Sequence, residues 1–338
     1  MAIHTVLGPI APEQLGPTSM HEHLLSDLSV WSKPSAEPVP EHDALHPGMT
    51  GYLRWNALAV PENLILHDPD VAIEELRAVR AAGGAAVVEL TLEGMGRRIE
   101  ELPRISRESG VHVCVGCGWY VEELHPERLA ALDADALTSE LLHELEHGIG
   151  DSGIRPALIG EIGTNHPPRE AELKVLRAAG RAGAESGAAV NVHLSWRGQD
   201  GLQVVETLLA EGMPADRIVL SHMDEVLDRG YHAAVAQTGA VLEYDTFGSD
   251  FLYGRPAVRN PSDVERLEMT TWLLSEGYGD QLVIACDTWA QANLRHMGGY
   301  GYEHLFRRIA PALSEFCGAD EATVRRIMVD TPRRLLDR

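Results

Sequence analysis

Short apolar runs alternate with longer amphipathic stretches along this chain. The runs at 85–91 (AAVVELT), 111–118 (VHVCVGCG), 157–163 (ALIGEIG), 188–194 (AAVNVHL), 217–222 (RIVLSH), 240–245 (AVLEYD) and 282–287 (LVIACD) are rich in valine and isoleucine. Such runs, punctuated by glycine, predict strands. A further strand at the HEH segment, 21–23, makes eight. Between them, 70–82, 169–187, 200–212, 224–238 and 261–277 carry apolar residues at helical spacing. Gly83-Gly84, Gly187 and Gly239 mark helix ends. The stretch 302–336 reads as two helices divided near Cys317-Gly318. Eight strands alternating with helices predict a (β/α)8 barrel, one domain over residues 1–338. A doubly wound open sheet is the alternative, but no G-x-G-x-x-G follows the first strand and no Walker loop is present. Residues 29–67, rich in proline and carrying Trp31 and Trp55, break the rhythm and predict a long first βα loop folded across the barrel mouth.

Composition narrows the partners. The formal net charge is −23, from 51 acidic and 28 basic residues, which argues against nucleic acid or an anionic membrane surface. No basic, apolar leader opens the chain and no apolar run reaches the roughly 18 residues of a membrane span. A cytoplasmic setting with reduced thiols is expected for Cys114, Cys117, Cys286 and Cys317. Cys114 and Cys117 match a redox spacing, yet three positions along a strand face opposite sides, so two buried free thiols are expected. Only two lysines are present, Lys33 and Lys174.

Candidate chemistry gathers at the strand ends. His21 and His23 lie two apart, so in a strand both imidazoles face one side, about 7 Å apart, and Glu22 faces the other. Glu161, His193, His222 and Asp287 close later strands, at the end where barrel active sites are built. Four imidazoles and two carboxylates are too many for one tetrahedral ion. They suit two divalent ions about 3.5–4 Å apart that share a carboxylate and a water-derived hydroxide. Zinc suits these nitrogen and oxygen ligands, as do manganese, cobalt, nickel and iron.

The ordered set HEHLLSD, AGGAAVVELT with its GMGRR turn, GEIGTN, NVHLSW, SHMDE, YDTFG, ACDTW and VDTPRRLL resembles the phosphotriesterase-like family of the amidohydrolase superfamily across nearly the whole chain. The resemblance implies that His21, His23 and Asp287 hold the more buried metal, and His193 and His222 the more exposed one. Many relatives bridge the ions with a carboxylated lysine; here that position is Glu161, so the chain resembles the glutamate-bridged branch. It further implies a metal-bridging hydroxide as nucleophile and Asp287 as the group that carries the proton. The expected reaction is hydrolysis of a lactone, ester or N-acyl amide. Phosphotriester or phosphodiester hydrolysis and a non-catalytic small-molecule binder are the alternatives, and a homodimer is compatible with the family.

Substrate residues are expected in the βα loops. Arg97, Arg197 and Arg255 follow strands two, five and seven and could hold an anionic group. Trp119, Tyr120 and Tyr244 are candidates for an aromatic or hydrogen-bonding wall.

Overall fold

A computed structural model describes residues 1–255 and 258–338. Eight parallel strands form one sheet: β1 (Thr18–Glu22), β2 (Ala86–Glu89), β3 (His112–Cys117), β4 (Leu158–Gly163), β5 (Val190–His193), β6 (Ile218–Leu220), β7 (Val241–Tyr244) and β8 (Leu282–Ile284). Each hydrogen-bonds its sequence neighbour, so the order is that of the chain. Helices α1 (Pro69–Ala81), α2 (Leu102–Ser109), α3 (Ala134–His147), α4 (Glu170–Ser186), α5 (Gly201–Ala210), α6 (Arg229–Gln237) and α7 (Asp263–Ser275) fall in the gaps between consecutive strands. After β8 the chain ends in helical segments within 305–315 and 321–336. This is the expected (β/α)8 barrel.

The seam between β8 and β1 is closed partly by a side chain. Asp287 N–H donates to the His21 carbonyl (3.1 Å). The Glu22 carboxylate accepts from Cys286 N (3.2 Å) and Thr288 N (3.0 Å) on one side and from Ser19 Oγ (2.6 Å) on the other. Burial pushes the Glu22 carboxyl up to about 7 against the pull of these donors. Glu22 thus turns away from the metal candidates, as alternation requires, and stitches the barrel shut.

Alternation sorts the strands into two cores. Val88, Cys114, Leu158, Ala189, Val219, Val241 and Val283 pack together inside the barrel, with Ile3, Leu15, Leu335 and Leu336 from the two ends of the chain among them. Val87, Val113, Val115, Cys117, Val190, Leu220, Leu242 and Ile284 pack outward against the helices. Cys114 and Cys117 therefore lie on opposite faces, and burial raises both thiols, Cys114 to about 12.

Local signals explain the differences from the expected elements. α6 starts at Arg229 rather than 224, because Asp228 caps it by accepting from Tyr231 N (2.8 Å). α2 and α3 lie outside the expected helical stretches. α3 carries Leu137, Leu141 and Leu145 at four-residue spacing and an Asp133 cap. The long first loop closes at its base, where Ser26–Asp27 pairs with Ile65–Leu66. Its helical turn at Thr50–Trp55 buries Tyr52 and Leu53 against Phe251, Ala290 and Met297 from the loops after β7 and β8. It covers that side of the mouth. No helix among the described residues is long and apolar enough to cross a membrane.

Leu335 is fully buried within the inner core. Leu335→Ala is expected to lower unfolding free energy by about 2–5 kcal/mol, read as a shift in the denaturant midpoint. A midpoint unchanged within error would show that the chain end does not seal the barrel.

Candidate active site

All six candidate ligands converge at the C-terminal ends of the strands. His21 Nε2 lies 3.5 Å from Glu161 Oε2 and 3.7 Å from Asp287 Oδ1. His23 Nε2 is 3.3 Å from Asp287 Oδ1. Glu161 Oε1 is 2.9 Å from His193 Nδ1 and 3.0 Å from His222 Nε2. Three groups with ligand atoms within 4.8 Å of one another result among the described residues: His21, His23, Asp287; Glu161, His193, His222; and His21, His222, Asp245. The Glu161 carboxylate spans the first two, one oxygen toward each.

Irregular backbone places these side chains. Register shifts between Ser19 and Glu22 on β1, and between Ile159 and Ile162 on β4, break strict alternation where His21 and Glu161 turn inward. His222 (φ 60°) and Asp287 (φ 43°) adopt the left-handed conformation, which costs a side-chain-bearing residue about 1 kcal/mol or more. Each strained backbone is held from a neighbouring strand. His222 N–H donates to Asp245 Oδ1 (3.0 Å), and Asp287 N–H to the His21 carbonyl. Strain at two metal candidates marks positions where function overrides local preference.

A seventh residue organises the site. Asp245, one position past β7, is 2.9 Å from His21 Nδ1 and 2.9 Å from His222 Nδ1. If both imidazoles donate there, both Nε2 atoms are left as lone pairs facing the cavity. His23 Nδ1 sits 2.9 Å from Thr91 Oγ1. Asp245 closes the 240–245 run in the same way that Asp287 closes its own, so strand-end position was the signal that could have revealed it.

Charge at the centre is lopsided. Burial lowers the His21 and His222 pKa values, but Glu161, Asp287 and Asp245 outweigh it for His21, and Asp245 with Glu161 does so for His222. Both are held well above the ordinary histidine value. Burial raises the Glu161 carboxyl, yet His21, His193 and His222 hold it well below the usual range. His21 Nε2 and Asp287 Oδ1 are buried with no hydrogen-bond partner among the described residues. Buried carboxylates, clustered imidazoles and two buried ligand atoms without a hydrogen-bond partner among the described residues fit divalent cations.

The expected substrate residues divide. Tyr120 faces the centre, its hydroxyl 3.0 Å from His193 Nδ1. Trp196 and Tyr253 stack at the mouth with ring centroids 6.4 Å apart, and the exposed Arg197 guanidinium lies 5.1 Å above Trp196. Arg255 is exposed at the end of a strand, Leu252–Arg255, that pairs with Val258–Arg259. Three expectations are corrected. Tyr244 is fully buried and turned to the helix layer, its hydroxyl 2.6 Å from His232 Nδ1, because its neighbours Glu243 and Asp245 take the inward positions. Trp119 follows Gly118 (φ 120°), which swings it outward. Its indole donates to Glu93 (3.2 Å) under the Arg128 guanidinium. Arg97 lines an outer cleft with Glu93, Glu100, Ile149 and Asp151, because the preceding turn is pinned by Asp27 N–H donating to Met95 O (2.8 Å). Tyr253 was not anticipated, and neither was the strand pair that carries it.

Barrel and site together define a hydrolase of the metal-dependent kind. The chain belongs to the phosphotriesterase family, whose model matches residues 1–336. It is 37% identical to an N-acetyltaurine hydrolase from Tetraodon nigroviridis, over 99% of this chain and 97% of the relative. The protein of the same name from Homo sapiens is 34% identical with the same coverage. A resiniferatoxin-binding protein from Rhodobacter sphaeroides superposes with a TM-score of 0.95 at 36% identity, covering 99% of this chain and 95% of its own. A lactonase from Listeria monocytogenes gives 0.81 at 26% identity, with 99% of each chain covered.

Asp245→Asn keeps one acceptor oxygen but sets an NH2 group against the second imidazole. Metal affinity, measured by competition with a chelator, is expected to fall about 10–100-fold while the fold survives. Unchanged affinity would remove Asp245 from the support of the centre.

Proposed function

We propose that the chain is a two-metal amidase that cleaves a small N-acyl substrate carrying an anionic head, with N-acetyltaurine as the first compound to test. The observation that carries the two-metal part is the Glu161 carboxylate, whose oxygens reach toward His21 on one side and toward His193 and His222 on the other. His21, His23 and Asp287 would hold one ion, His193 and His222 the other, and Glu161 would bridge them. Zinc suits the ligand set. The amide and the anion rest on the name shared by relatives that are similar over nearly the full chain.

When bound, divalent ions lower the pKa of water and polarise a carbonyl oxygen. The chain's own residues supply the rest. Asp287 is buried but reachable, and its Oδ1 has no hydrogen-bond partner among the described residues, so it can take a proton from the attacking water and return it to the leaving amine. Burial, then Glu161 and Asp287, holds the Tyr120 phenol well above its ordinary value, so it stays a neutral donor that can orient a carbonyl oxygen. Arg197, set over the Trp196–Tyr253 stack, offers a guanidinium at the rim for the anionic head, and Arg255 lies on the adjoining strand. Four free cysteines suit a cytoplasmic setting.

The test is an assay of metal-loaded protein against N-acetyltaurine, a γ-lactone and a phosphotriester. The amide is expected to give the highest kcat/KM, a chelator to abolish turnover, and metal analysis to return about two ions per chain. A single ion per chain would overturn the bridging role of Glu161, and turnover of the phosphotriester alone would overturn the amide reading. Arg197→Ala combined with Arg255→Ala is expected to raise KM for the sulfonate-bearing amide about tenfold, and to change KM for a neutral N-acetyl amine far less. Equal effects on both would exclude these arginines from the anion site.

A further inference from the structure

Arg97, turned away from the barrel mouth, is left without a partner. Its side chain lines a cleft of about 560 Å³ on the outer wall, a volume within the range of small-molecule sites. The guanidinium makes no hydrogen bond or ion pair among the described residues, and its Nη1 is enclosed by protein. The turn Glu93–Glu100, between β2 and α2, forms one wall of the cleft. Ile149–Ser152, after α3, forms the other.

The rest of the lining is apolar or acidic. Ile99 and Ile149 supply hydrocarbon. Glu93 is committed, accepting from the Trp119 indole (3.2 Å) and from Arg128 (2.5 Å). Glu100 and Asp151 are exposed and make no hydrogen bond or ion pair among the described residues. Glu144 stands behind the cleft on α3. Burial raises its carboxyl, with Arg97 the first charge to oppose the rise, yet no ion pair joins the two.

An enclosed cationic N–H without an acceptor is costly. The guanidinium fork matches the oxygens of a carboxylate, sulfonate or phosphate. Carboxylates at the rim repel a plain anion and attract a cation. A ligand that carries both charges satisfies both ends. We infer that the cleft binds a small zwitterion, its acid group on Arg97 and its ammonium between Glu100 and Asp151. This class follows from the lining. Taurine as its member rests on the amide reading above: hydrolysis of an N-acyl amide frees an amine that is protonated near neutral pH, whereas the acylated nitrogen carries no charge. The cleft thus tells product from substrate by the one charge that hydrolysis creates.

The experiment titrates taurine into metal-loaded protein in a calorimeter. The wild type is expected to bind it, and Arg97→Met to weaken binding at least about tenfold. Glu100→Gln combined with Asp151→Asn, both at exposed positions, is expected to weaken it about tenfold and keeps the test open if Arg97→Met does not fold. A further titration needs no variant. The wild type should bind 2-hydroxyethanesulfonate, which has a hydroxyl in place of the ammonium, at least about tenfold more weakly than taurine. Equal binding of the two compounds would overturn the zwitterion assignment. Affinity that is kept in Arg97→Met and lost in Arg197→Ala with Arg255→Ala would place taurine at the mouth and overturn the cleft. Cleavage of N-acetyltaurine without any binding of taurine also overturns the cleft and leaves the amide reading standing. Binding that depends on Arg97, in a protein that does not cleave the amide, supports the cleft and overturns the amide reading.

Discussion

One carboxylate set against two imidazoles governs the site. Asp245 reaches the Nδ1 atoms of His21, on β1, and of His222, just past β6. Each histidine is thereby aimed, and its remaining nitrogen is left to face the space shared with Glu161 and Asp287. The same carboxylate holds the strained backbone of His222. A buried anion with this many donors is held far below its usual range by His222 and His21 in spite of burial. It can therefore serve as a fixed negative charge under a cationic centre. The barrel supplies the rigid frame in which so precise an arrangement survives. Its seam is closed by another buried carboxyl, Glu22, whose lone pairs are taken by backbone donors.

Below this layer the interior stays polar before it becomes apolar. Glu243 lies 2.6 Å from Asn191 Nδ2 and 2.8 Å from Ser221 Oγ, and it approaches His21 Nδ1 at 3.8 Å. Burial and Asp245 push its carboxyl up to about 7. Valine, leucine and alanine fill the next layer down. The metal candidates thus rest on a graded floor: ligands, then their hydrogen-bonded partners, then hydrocarbon.

Much of this was legible in the sequence, for a physical reason. Metal chemistry needs few residue types, and barrel geometry needs them at strand ends, so His21, His23, Glu161, His193, His222 and Asp287 stood out once the strands were marked. The barrel itself followed from the alternation of valine-rich runs with amphipathic stretches. What failed was direction. Tyr244 and Trp119 were read as wall residues because they sit near the right ends, yet alternation gives the inward place to Asp245 and not Tyr244, and Gly118 turns Trp119 outward. Arg97 was misplaced because a turn held by Asp27 carries it outward. Tyr253 depends on a strand pair in a loop, where pairing comes from tertiary contact and leaves little periodic trace.

The identity of residue 161 also bears on how such a centre is assembled. A lysine at that place becomes a bridging anion only after its amine has captured carbon dioxide, so its readiness follows the local supply of dissolved gas. Glutamate brings its negative charge from the ribosome. Burial does not neutralise it here, because three histidines hold the carboxyl in its ionised form before any ion arrives. In the bridging place proposed for it, Glu161 would let the centre load without capturing carbon dioxide, and decarboxylation could not undo it when metal is scarce.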